Sequence, residues 1–331
     1  MQNQSLGKGD KDTPAPIITS VFLLGAIMLG GLVGLLSPLA GENLSRGIDA
    51  TLMVMVMVFL LFFESRLGSV FSAFQNIRFL ALAWSANFLI IPAIGFGIAS
   101  FFFSGQPLLF GGLMISFLAL CTDWFLGFTL LAKGDTELGA TLIPINIITQ
   151  LSLFPFWLWW LANGSGFADF SLLPRMLLQW FIVPLLAAQA IRFAVEQLLP
   201  EDRCAPILSV VRRCVPFVLA ALIFQILATH IREINQQLDS AILVATAVYV
   251  FFITTVAAGE TLSRLGRLEY PQRALLTMTM AARNAPRMIA LTAIAIPNQP
   301  LVLAVIVTGM LVEIPLLTTL NQLLLKFKPE K

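Results

Sequence analysis

The chain has 331 residues, 58% of them hydrophobic and 11% charged, with a formal net charge of +2. Soluble domains average about 25% charged residues, so a soluble globular domain is excluded. The small net charge gives no footing for nucleic-acid binding. The charges gather in short segments between long apolar runs, the pattern of a polytopic membrane protein.

Residues 1–16 are polar and carry Gly7, Gly9, Pro14 and Pro16, so they read as a cytosolic tail without a cleavable signal peptide. A crossing helix needs about 20 apolar residues. Ten spans are predicted, near 17–38, 50–64, 79–103, 108–132, 137–162, 172–195, 207–229, 239–262, 273–297 and 300–325. With the N-terminus inside, the inner segments hold fifteen Lys and Arg, and the outer loops hold three, Arg46, Arg175 and Arg232. Arg283 and Arg287 lie within a predicted span. This bias places both termini in the cytosol, in a plasma or inner membrane.

Ten spans divide into halves of five, residues 17–162 and 163–331, and an odd number per half gives the halves opposite orientation. The expected fold is therefore an all-α polytopic membrane protein of ten transmembrane helices in two inverted five-helix repeats. Shifting the chain by 160 residues sets Phe154-Pro155 on Ile314-Pro315, span four on span nine and span five on span ten. Span nine contains "MAARNAPRMIAL" (280–291). Pro286 lacks an amide hydrogen and clashes with the preceding turn, so the helix is expected to break there. Span four carries "ALCTDWFLGF" (119–128), with Asp123 and Gly127 at the matching depth. Broken helices at equivalent places in two halves point to a transporter's binding site.

An ionised side chain at mid-membrane costs roughly 2.5–3.5 kcal/mol on insertion scales, so each such residue needs a partner or a role. The candidates are Asp123, Asn146, Gln150, Arg283, Asn284, Arg287 and Glu313. Two readings stay open: a structural brace between Asp123 and Arg283 or Arg287, and a polar cavity for a substrate or coupling ion. The cavity also accounts for the amides and Glu313. Glu64 and Glu260 lie near span ends and read as interfacial; His230, the single histidine, lies at an outer boundary. Cys121, Cys204 and Cys214 form no disulfide framework.

No nucleotide-binding loop of the form GxxxxGK[ST] occurs, which argues against ATP drive within this chain. One histidine gives no basis for a metal site, and no cofactor or enzymatic reaction is expected. A channel would not need two offset halves, which favour alternating access. The function expected is secondary transport, coupled to Na+ or H+. The expected partners are the lipid bilayer and a small-molecule or oxyacid substrate.

Several stretches taken together resemble a known family. They are Cys121-Thr122, "AKGD" at 132–135, "NIITQ" at 146–150, Asn284, and "GMLVEIP" at 309–315. In their order they resemble the bile acid/sodium symporter superfamily, and within it the arsenite permease branch of arsenical resistance. The resemblance implies a core of spans three to five and eight to ten with crossed broken helices at spans four and nine. It implies a panel of spans one, two, six and seven. It further implies export of arsenite or a similar small oxyacid, with Cys121 as the metalloid-contacting thiolate.

On this basis the substrate-binding set is Cys121, Thr122, Asp123, Arg283, Asn284 and Arg287. The ion-coupling set is Asp123, Asn146, Gln150 and Glu313. The sequence departs from the permease pattern in two places. Arg287 stands where a glutamate is expected in the ninth span, and Asp123 where a small neutral residue is usual. An organic anion or oxyanion held by Arg283 and Arg287 is therefore the alternative substrate.

Overall fold

The computed structural model describes residues 16–37, scattered positions of 52–63, 76–121, 124–165, 183–198, 200–235, 238–285, 288, 289, 292 and 299–327. Among these residues the fold is nearly all helical. In chain order the helices are α1 (Pro16–Leu36), α2 (Ile77–Ser85), α3 (Ile91–Phe103), α4 (Pro107–Leu118), α5 (Trp124–Leu131) and α6 (Thr136–Ser165). Then come α7 (Val183–Leu198), α8 (Glu201–Asn235), α9 (Leu238–Leu265), α10 (Tyr270–Ala281) and α11 (Pro300–Lys326). Three stretches, 77–103, 240–265 and 301–326, are long and apolar enough to cross a membrane by length and composition.

The chain forms two compact units, Met1–Glu64 with Gln179–Thr229, and Ser65–Leu178 with His230–Lys331. In the first unit Gly30 lies against α8: a Cβ there would stand 2.6 Å from the Phe224 carbonyl oxygen, so only glycine allows this approach. Arg192 is buried in the same unit. It donates to the Phe63 carbonyl at 2.7 Å and pairs with Glu196 at 2.9 Å. A buried carbonyl and a buried guanidinium satisfy each other there.

The second unit is built on α4, α9, α10 and α11. Helix α11 packs on α4 and α9, and α10 packs on α9. Gly112 lets α4 and α11 close up, because a Cβ there would meet Val305 Cβ at 2.9 Å. Between α2 and α3 the chain makes a π-turn, Ala86–Ile90, in which Ile91 N–H donates to the Ala86 carbonyl. Pro92 accounts for it. Proline has no N–H and its ring crowds the carbonyl four residues back, so the helix takes up an extra residue before it.

At one end of this unit Tyr270 ties three helices together. Its hydroxyl lies 2.9 Å from the Ala132 carbonyl oxygen and 3.1 Å from that of Leu324, and donates to them. Asp135 N–H donates to the Pro271 carbonyl at 3.0 Å. Burial pushes the Tyr270 phenol above its ordinary range; Arg273 opposes the shift and Glu260 adds to it. Glu260 reads from sequence as interfacial. In the structure it forms an ion pair with Arg273 and accepts from the Thr277 hydroxyl at 3.1 Å.

Candidate functional site

The predicted fourth span is interrupted. Helix α4 stops at Leu118, Ala119 is extended (φ −75°, ψ 90°), and α5 begins at Trp124. The predicted ninth span is interrupted too. Helix α10 stops at Ala281, and Ala282 is extended (φ −77°, ψ 131°). The break starts four residues before Pro286, at the residue whose carbonyl a normal helix would bond to position 286. Proline cannot make that bond.

The two unwound stretches lie side by side. Leu120 and Arg283 form an isolated antiparallel bridge, and Asn284 N–H donates to the Ala119 carbonyl at 2.8 Å. Each break leaves backbone polar groups without helical partners, and pairing one break with the other satisfies some of them. Asn284 then starts the next turn, its carbonyl accepting from Met288 N–H at 3.2 Å.

Arg283 joins both helix ends of the crossing. It is 3% exposed. Its guanidinium donates to the Phe117 carbonyl at 3.2 Å, the Thr279 carbonyl at 2.9 Å and the Met280 carbonyl at 2.5 Å. These are the terminal carbonyls of α4 and α10, where the helix dipoles leave partial negative charge. The Arg283 N–H donates to Glu313 Oε1 of α11 at 2.5 Å. Phe117 and Phe251 stack at 3.9 Å, and the Arg283 Cζ lies 6.0 Å from the Phe251 ring centre. Among the described residues, Glu313 and Cys121 act electrostatically on Arg283. The structure therefore brings together Cys121, Arg283, Asn284 and Glu313, all four buried.

Asn146 and Gln150 lie on α6, which packs against α4, α5 and α10. Asn146 is fully buried and Gln150 is 8% exposed. Among the described residues, Asn146 Oδ1 and Nδ2 and Gln150 Nε2 have no hydrogen-bond partner. Buried amides are almost always satisfied, so these atoms are open to a water, an ion or a ligand. Beside them the Thr149 hydroxyl accepts from Trp84 Nε1 at 3.1 Å.

Thr122, Asp123, Pro286 and Arg287 lie outside the described residues, and so does any pairing of Asp123 with Arg287. His230 lies on α8.

Asn87 was not among the sequence candidates. It is 3% exposed and sits in the π-turn, and its Nδ2 donates to the Thr279 hydroxyl at 3.2 Å. The available signal was Pro92 five residues on, inside an otherwise uninterrupted span. Among the described residues no group of three or more His, Cys, Asp or Glu is placed to hold a metal ion.

Comparison with known proteins adds two findings. The sequence model of the Sodium Bile acid symporter family matches residues 51–240. That stretch includes the first interrupted helix, Cys121, Asn146 and Gln150. The Arsenical-resistance protein Acr3 of Corynebacterium glutamicum is 25% identical over 262 residues, which covers 74% of this chain and 69% of that protein.

Proposed function

The chain belongs to the Sodium Bile acid symporter family, and from that premise we propose that it exports a small oxyacid, arsenite or a close analogue, by alternating access. The observation that carries this reading is the crossing of two interrupted helices with a buried thiol in it, and unpartnered buried amides on α6, which packs against the crossing helices. Cys121 supplies the soft ligand that a trivalent metalloid favours. Asn146 and Gln150 present unused donors, and Asn146 an unused acceptor as well. A bare cation would engage only their oxygens. A neutral hydroxylated oxyacid both donates and accepts, and so answers the whole set.

The alternative, an anion held by arginines, draws less support. Arg283 donates three hydrogen bonds into the helix ends. The division of the chain into two compact units supports a substrate-carrying core distinct from a second domain. The same reading includes ten spans in two inverted halves, a plasma or inner membrane location and cytosolic termini.

The test is arsenite uptake into everted membrane vesicles under an imposed proton gradient, comparing wild type with Cys121→Ser. Gradient-driven uptake that falls at least tenfold in the variant is the expected result. Wild-type vesicles that contain the protein and take up no arsenite reject the substrate.

A further inference from the structure

We propose that Arg283 is a tethered cation: its guanidinium takes the place of a coupling ion at the helix crossing, and sodium has no part in stabilising that crossing. The proposal rests on the reading of the chain as a crossing-helix transporter, and it adds the coupling chemistry of the same site. In transporters with discontinuous helices, the C-terminal ends of the half-helices and the unwound carbonyls are where Na+ or H+ is held. The last carbonyls of each helix C-terminus carry partial negative charge, which draws a cation or a charged donor to them.

In this chain the ends of α4 and α10 meet at the crossing, and one monovalent cation is already there by covalent attachment. The guanidinium engages Phe117, Thr279 and Met280 carbonyls at 3.2, 2.9 and 2.5 Å. Those oxygens are the ligands a hard cation would need. The stacked rings of Phe117 and Phe251 lie against the same group, and Arg283 is 3% exposed. Sodium does not fit among these three carbonyls while Arg283 is in place. Glu313 Oε1 accepts from the backbone N–H of the same residue.

The local backbone explains why the side chain reaches both helix ends. Ala282 is extended, which turns the chain away from the α10 axis immediately before Arg283. The bridge to Leu120 then holds the residue beside the end of α4. Thr279, which gives one of the three carbonyls, is held through its own hydroxyl by Asn87.

The test is the thermal unfolding midpoint of the purified full-length chain in detergent, in NaCl and in choline chloride at equal ionic strength. Wild type is expected to unfold at the same temperature in both salts. Arg283→Gln is expected to unfold several degrees lower in choline chloride, and to recover part of the loss in NaCl or with low-millimolar methylguanidinium. Arg283→Lys, which keeps a tethered charge, is expected to fold and to be indifferent to the choice of salt. If Arg283→Gln cannot be purified, the lysine variant decides: indifference to sodium supports the proposal, and dependence on sodium overturns it. A wild-type midpoint that rises in NaCl, or a glutamine variant that gains nothing from either cation, also overturns it. No substrate enters these measurements, so failure of arsenite transport rejects the substrate and leaves this result standing.

Discussion

Replacing Asn146 by leucine should make the protein more stable and less active. Asn146 is 0% exposed, and neither its Oδ1 nor its Nδ2 has a partner among the described residues. A buried polar group left unsatisfied costs about 1–3 kcal/mol. Two such groups are removed together in Asn146→Leu, while the slightly larger side chain gives back about 1 kcal/mol in crowding. The net expectation is a gain of about 1–5 kcal/mol, or roughly 2–7 °C in unfolding midpoint for a chain of this size. Transport should fall at least tenfold, because a site built to hydrogen-bond its cargo loses both its donor and its acceptor. The assay pairs thermal unfolding in detergent with vesicle uptake of arsenite on the same preparation. A lower midpoint would show that the amide has partners in the native protein and is not waiting for a ligand. An unchanged transport rate would remove Asn146 from the site.

Gly112→Ala should destabilise the second unit by about 1–3 kcal/mol, since its Cβ would stand 2.9 Å from Val305 Cβ and 3.3 Å from the Val302 carbonyl. Gly97→Ala, with nothing within 4 Å of its Cβ, should be neutral or slightly stabilising; thermal unfolding of the two variants side by side checks the packing of α4 on α11. Tyr270→Phe should cost about 1 kcal/mol by leaving the Ala132 and Leu324 carbonyls without this donor. Because burial raises the phenol in the folded state, that stability is fully present below the ordinary tyrosine range near pH 10 and is lost as pH rises through the folded value. Alkaline unfolding curves of wild type and Tyr270→Phe should therefore converge at high pH, and parallel curves would refute the assignment.

The elements that run as long apolar segments were legible in the sequence because hydropathy depends little on detail. Predicted 79–103 corresponds to helix over Ile77–Phe103, and predicted 300–325 to Pro300–Lys326. The interruption at span nine was legible through Pro286, whose missing N–H forbids a bond to residue 282. The interruption at span four carries no proline, and only its polar residues hinted at it. The buried polar residues were partly legible too, since Cys121, Asn146, Gln150, Asn284 and Glu313 are conspicuous in apolar surroundings. The direction of Arg283 was not. It depends on the ψ of Ala282, which no composition rule supplies, and a guanidinium on an unbroken helix would not meet the end of α4. Asn87 was missed because one amide in an apolar span is unremarkable until the π-turn before Pro92 rotates it toward Thr279. The Glu260–Arg273 pair joins residues thirteen apart across the turn between α9 and α10, a proximity that only the fold creates.

The proposed cargo and the tethered charge constrain each other. An uncoordinated pair of helix C-termini leaves buried carbonyls without partners and must take up a cation or a charged donor before the crossing can be buried in an apolar surround. With a guanidinium fixed there, that requirement is met by the chain itself. A neutral oxyacid then adds no charge to the crossing, and its binding need only satisfy the open amides and engage the thiol. A charged cargo would disturb the balance and call for a compensating group. Arg283 is poorly placed to provide one, because releasing it would expose three buried carbonyls at once, at about 1–3 kcal/mol each. The same arithmetic sets what a change of substrate would require in this fold: freeing Arg283 for an anion demands another cation at the helix ends. On the proposal of a tethered cation, an anion-transporting variant of this chain should therefore need sodium at the crossing.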